Sequence, residues 1–168
     1  ESNKETRDEI GQLSLKAKMA VGSLDEIVWA TNPTQDSLKS LVEYLAFFVE
    51  DYLRTVKVPL RTELPETIPD AVIGPRRRHS ILLASCEAVN NAVKHAHPGR
   101  IELGVSIQAD NLVVSIRDDG RGFSVEYADS GNGLTNLRRR MTDCGGDCRI
   151  ESHPGQGTTV TLTLPLKT

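Results

Sequence analysis

Residues 101–123 read IELGVSIQADNLVVSIRDDGRGF. Two runs of alternating apolar and polar residues meet at Ala109-Asp110-Asn111, and turn residues between two such runs signal a β-hairpin. Ile101, Leu103, Val105 and Ile107 share one face of the first strand, and Leu112, Val114 and Ile116 share one face of the second. The second strand empties into DDGRGF, whose glycines allow φ > 0 or a close approach to a ligand.

Upstream of the hairpin, His79 to His97 reads HSILLASCEAVNNAVKHAH, a helix stopped by Pro98-Gly99. Leu82, Cys86, Val89 and Val93 draw an apolar stripe along it. Glu87, Asn91, Lys94 and His95 form an adjoining polar face, flanked by Asn90. A solvated surface helix would show the same polar side, so the meaning of that face depends on its surroundings. Before it, Arg76 to Arg78 sit at a helix N-terminus, where they oppose the dipole and add nothing to helix stability. A solvated charged turn is the simpler reading of this triplet.

Downstream, a polar stretch SVEYADSGNG leads into a short helix GLTNLRRRMTDC. Gly145-Gly146 turns the chain, and CRIES and TTVTLTLPL give a closing strand pair around His153-Pro154-Gly155-Gln156-Gly157. The order helix, strand, strand, glycine loop, helix, strand, strand implies an α+β domain, a mixed and largely antiparallel sheet with helices on one face. Polar residues such as Glu102, Ser106, Ser115 and Thr161 leave the other face to water.

The N-terminal third is helical. Ile10, Leu13, Ala17, Ala20, Leu24 and Ile27 follow the three-four alternation of a bundle seam, which predicts dimerisation through residues 5–30. Asn32-Pro33 breaks this helix. A second begins near Thr34 to Ser37 and ends near Thr55, with a broad apolar face of Leu38, Leu41, Val42, Leu45, Phe48, Val49, Tyr52 and Val56 that suits a helix lying on a core. Beyond it, VPLRTELPETIPD reads as a short strand and an extended loop. The resulting division is 1–56, a helical segment, and 57–168, the sheet domain.

With 168 residues, 38% of them apolar, the chain can bury one real core. A net charge of -3 gives no reason to expect nucleic acid as a partner. No apolar run approaches the roughly 18 residues of a membrane span, and ESNKETRDEI is no signal peptide. The absence of an initial Met suggests a piece of a longer protein. Three cysteines, Cys86, Cys144 and Cys148, lack CxxC spacing and read as reduced thiols of a cytosolic protein, Cys86 in the core. Zinc on Cys144, Cys148 and His153 would need a fourth ligand.

Gly120, Gly122, Gly131 and Gly133 bracket a loop between strand and helix, and Gly131 to Leu134 opens that helix, whose free N–H groups and dipole suit phosphate. The pattern is neither the P-loop nor the dinucleotide fingerprint. Asp118 and Asp119 offer acceptors to a base or ribose, Asn91 an oxygen to a hard cation, and Glu87, one turn away, a base or orienting group for phosphoryl transfer.

EAVNNAVKHA, DDGRGF, GNGLTNLRRR, GG and PGQGTTV together resemble the boxes of the Bergerat-fold (GHKL) ATP-binding domain, a two-layer α/β sandwich. More closely, the chain resembles sensor histidine kinases of two-component systems, in the subfamily of nitrate and lipid-fluidity sensors. The resemblance covers residues 57–168, with residues 5–55 similar to the second dimerisation helix and its connection. It implies ATP and Mg²⁺ as ligands, with Asn91 holding the metal and Glu87 as general base. It implies that Asp118 accepts the adenine amino proton, Gly120 and Gly122 make room for the ring, and Thr158 lies near adenine. Gly131, Gly133 and Leu134 would close over the phosphates, Phe123 to Asn132 form a lid, and Lys94 or His95 lie by the phosphates. The family's phosphoacceptor histidine precedes an acidic residue on an upstream bundle helix, and none of His79, His95, His97 and His153 matches it. The chain is therefore expected to bind ATP without carrying its own phosphorylation site, and to work with that upstream helix, a response regulator and a second copy. A GHKL serine kinase of an anti-sigma system and a degenerate nucleotide-binding module are the alternatives.

Overall fold

A computed structural model describes residues 36–124 and 132–167. The expected dimerisation seam at residues 5–30 and most of the expected lid, Gly131 included, lie outside the described residues.

Helix α1, Leu38–Val56, starts at Ser37, whose hydroxyl accepts the Ser40 N–H at 3.1 Å, the side-chain cap that serine supplies best. It ends at Lys57 in the left-handed conformation, with the Val58 N–H reaching back to Leu53 O. Seven of its residues, from Leu38 to Leu53, are buried. Each such aliphatic burial is worth roughly 1.5–3 kcal/mol, so packing rather than intrinsic propensity holds this helix on the domain.

Strand β1, Leu60–Glu63, runs parallel to β2, Ile101–Gln108, with Leu60 opposite Ile101. Between them lies α2, Pro75–Asn91, continued by one π-helical turn, Ala92–Ala96. Strand β3, Asn111–Asp118, pairs antiparallel with β2 through a two-residue turn. Ala109 and Asp110 both take positive φ there, as the primed hairpin turn requires. Helix α3, Asn132–Asp143, is followed by the antiparallel pair β4, Asp147–Ser152, and β5, Thr158–Pro165. The sheet order is β1-β2-β3-β5-β4.

The period of two predicted for the strands is observed: Ile101, Leu103, Val105, Leu112, Val114, Ile116, Val160, Leu162 and Leu164 are buried on the face that carries the helices. The two layers are those expected, and Cys86 is a buried core residue. The outer strands are blunted as edges commonly are, β1 by its brevity and β4 by the outward pair Arg149 and Glu151.

The arginine triplet overturns its simplest reading, because each member fastens the start of α2 to a different element. Arg76 donates to Asp143 O at the end of α3, where a cation suits the helix dipole. Arg77 donates to Pro165 O at the end of β5. Arg78 is fully buried, with its Nη1 2.9 Å from Asp36 Oδ1. Around that ion pair, Ile73 N–H donates to Asp36 O and Leu38 N–H to Ala71 O, so the entry to α1 is stitched to the segment before α2. Arg78 is wholly buried while Asp36 is partly exposed, so losing the arginine leaves an emptied site and a carboxylate without its cation. We expect Arg78→Ala to lower unfolding free energy by about 3 kcal/mol in chemical denaturation, lost charge pairing and emptied volume acting together.

Candidate functional site

The apolar alternation of three neighbouring strands ends in polar residues without changing phase. Leu112, Val114 and Ile116 lead to Asp118 on β3, Cys148 and Ile150 lead to Ser152 on β4, and Val160 is preceded on its own face by Thr158 on β5. The register lines these up, Ser152 opposite Thr158 and Thr158 opposite Asp118. A polar row therefore closes one end of the core-facing sheet surface.

Over this row opens a cleft of about 330 Å³, a volume suited to a small ligand. Its walls come from α2 and the π turn (Ala88, Asn91, Ala92, His95), the sheet end (Ile116, Asp118, Thr158, Val160) and α3 (Gly133, Leu134, Leu137). Arg121, Gly122 and Phe123 complete it. Most of this lining is apolar, so a flat hydrophobic ligand fits, read by the few polar groups among it.

Asp118 is the polar group at the bottom, 4% exposed. Its Oδ1 accepts the Gly120 N–H at 2.9 Å, and the Thr158 backbone and hydroxyl also bond to it. Burial pushes its pKa upward, while these donors and the neighbouring charge of Asp119 act as smaller effects. A carboxyl raised in this way stabilises the fold fully below the ordinary carboxylate range and loses that contribution as pH rises through the raised value. At neutral pH the anion is held at a cost, which a ligand offering a donor would offset.

Glu87 and Asn91 stand at the other end. Both are half-buried, and a Cβ placed on Gly133 would sit 3.5 Å from Glu87 Oε1 and 3.7 Å from Asn91 Nδ2. Gly133 thus sets the N-terminus of α3, whose first backbone N–H groups have no partner within the helix, beside a carboxylate and a carboxamide.

The glycines are needed for contact. Gly120 lies against the Ala96 carbonyl with no room for a Cβ, and the Arg121 N–H donates to that same carbonyl at 2.9 Å. Gly120 therefore joins the turn to the end of α2 instead of lining the cleft. Gly122 has φ 58°, which favours glycine, and does line it.

Of the residues predicted from sequence, Asn91, His95, Asp118, Gly122, Gly133, Leu134 and Thr158 line the cleft, and Glu87 flanks it through Gly133. Lys94 is exposed and does not line it. In the wider π turn the residue four positions beyond Asn91 comes nearest its face, and the one three beyond falls short. Arg121 and Ser152 were not singled out by sequence. Arg121 lies between two glycines that were, and Ser152 continues its strand's alternation in phase.

The histidine kinase-, DNA gyrase B-, and HSP90-like ATPase family matches residues 79–168, just over half of the chain. The chain belongs to this family. ATP is accordingly the ligand of this ATPase domain. Among relatives, the sensor histidine kinase YvfT of Bacillus subtilis is 35% identical over 96 residues, 57% of this chain and 25% of that protein. The sensor histidine kinase LnrJ of the same organism is 30% identical over 150 residues, 88% of this chain and 36% of that protein. The chain thus spans about a third or less of the length of these curated relatives. In solved structures, the histidine kinase AdeS of Acinetobacter baumannii superposes with a TM-score of 0.61 at 19% identity, covering 92% of this chain and 83% of that one. The histidine kinase domain of a blue-light activated kinase from Erythrobacter litoralis gives 0.62 at 23% identity, covering 75% of this chain and 65% of that one. At these identities the superpositions speak for the fold, which is that of the ATPase domain.

Proposed function

We propose that this chain is the ATP-binding catalytic part of a sensor histidine kinase, moving the γ-phosphoryl of Mg·ATP to a histidine upstream of the sheet domain for relay to a response regulator. The observation that carries it is the two-ended cleft, with a buried carboxylate at one end and Glu87, Asn91 and a helix N-terminus at the other. The sensor-kinase relatives support the histidine acceptor over a serine.

In this reading the adenine amino group donates to Asp118, with Thr158 beside it, and Gly122 leaves the ring space. The ring lies between Ile116, Val160 and Leu134, and the phosphates extend toward the start of α3, where Gly133 approaches them. His95, which lines the cleft, is the phosphate contact, and Lys94 drops out of that role. Glu87 takes or orients the proton of the attacking imidazole as its nitrogen bonds to phosphorus and ADP leaves. Positioning of this kind is the main contribution a protein makes to phosphoryl transfer.

The residues also fit magnesium. The Asn91 carboxamide stands beside Gly133 at the start of α3, and its oxygen would be the donor to the metal. One or two oxygen donors beside a triphosphate suit Mg²⁺, which neutralises phosphate charge when bound and keeps several waters. Dimerisation through residues 5–30 and a cytoplasmic location complete the proposal. On location, no described helix is long and apolar enough to cross a membrane.

Mixing this chain with a separate bundle fragment bearing a histidine should give acid-labile phosphate on that fragment. Acid-stable phosphoserine would favour a serine kinase, and no transfer despite firm ATP binding would refute phosphotransfer. Asp118→Asn should weaken ADP binding at least tenfold in calorimetry, since a charge-assisted acceptor is lost. The wild type's affinity should fall as pH drops through the raised carboxyl pKa. Asn91→Ala should remove the magnesium dependence of ATP binding, and a dependence that survived would move the metal elsewhere.

A further inference from the structure

Ser152 is buried to 4% exposure at the last rung of β4, one strand away from Thr158 and two from Asp118. Its hydroxyl has three partners. It accepts the Phe123 N–H at 2.9 Å, donates to Gly157 O at 3.1 Å and lies 2.9 Å from Thr158 Oγ1. The first bond holds the end of the glycine turn that follows Asp118. The second holds the end of the turn between β4 and β5. Gly157 in turn lies against the Asp118 carbonyl, with φ 77° and no space for a Cβ. Ser152 therefore touches every segment that frames the Asp118 carboxylate, while it does not itself line the cleft.

The proton count gives this junction a direction. A serine hydroxyl has one proton and two lone pairs. With the proton on Gly157 O and one lone pair taken by Phe123 N–H, the other lone pair faces Thr158. The single Thr158 proton is shared between Ser152 Oγ and the Asp118 carboxylate, and the 2.9 Å contact with Ser152 holds the Thr158 hydroxyl beside the acid. An anionic, donor-supported Asp118 accepts from an amino group at position 6 of a purine and has nothing to donate to a carbonyl there.

We propose that Ser152 is a positioning residue for base recognition, setting Thr158 and the two flanking turns so that the Asp118 carboxylate reads the purine 6-amino group. The proposal rests on the adenine reading of the cleft given above. Loss of this hydroxyl leaves Phe123 N–H and Gly157 O without their partner and frees the Thr158 rotamer, so amino-group recognition suffers beyond the change in the Phe123 wall, which nucleotides with and without the amino group share.

The test uses the intact chain and two nucleotides, ADP and purine riboside 5′-diphosphate, which is ADP without the amino group, with affinities from calorimetry. The wild type should prefer ADP. Ser152→Ala should bind ADP about tenfold more weakly, the scale of an unsatisfied buried group, and lose distinctly less affinity for the amino-free nucleotide. Ser152→Cys, which keeps the volume but bonds poorly, should show the same selective loss and serves if the alanine variant does not fold. Equal loss for both nucleotides in a folded variant, or no loss, would overturn the role of Ser152 while leaving the adenine reading intact. A wild type with no preference for ADP would overturn that reading, and the proposal with it.

Discussion

A buried polar atom must find a partner, and this requirement shapes the working end of the molecule. Three strands carry an apolar face to within one rung of their ends and then place Asp118, Thr158 and Ser152 there, side by side. An aliphatic row would have extended the core. The polar row instead needs donors, and takes them from the Gly120 and Phe123 N–H groups of the turn after β3 and from its own hydroxyls. Glycine is required where that turn meets the end of α2 at Ala96 and where Gly157 meets Asp118. The cleft is thus the place where the sheet stops being core.

Helix α2 connects this end to the other. Its C-terminal part carries Glu87 and Asn91, its π turn supplies His95 and receives the glycine turn, and its first residues tie down α3, β5 and the entry to α1 through three arginines. The triplet offsets an unfavourable dipole with bonds to three separate chain ends.

Much of this was legible in the sequence because it depends on local periodicity. The strands, the hairpin at Ala109-Asp110, the buried face of α1 and most of the cleft residues follow from spacing and glycine placement. What escaped needed contacts distant in sequence. Arg78 reads as solvated until Asp36 is brought against it. The π turn is invisible to a 3.6-residue pattern, and within it His95 lines the cleft while Lys94 does not. Ser152 carries a visible signal, a polar residue in phase with Cys148 and Ile150, but its meaning requires the register of three strands at once.

The Asp36–Arg78 junction sets a distance. Arg78 and Asn91 lie at opposite ends of one helix, and at 1.5 Å per residue they are separated by roughly 20 Å. Asp36 is therefore moored at the end of the domain away from Glu87 and Asn91. In the proposed transfer, the tether point as much as the cleft sets the span that an acceptor reached through Asp36 has to cover.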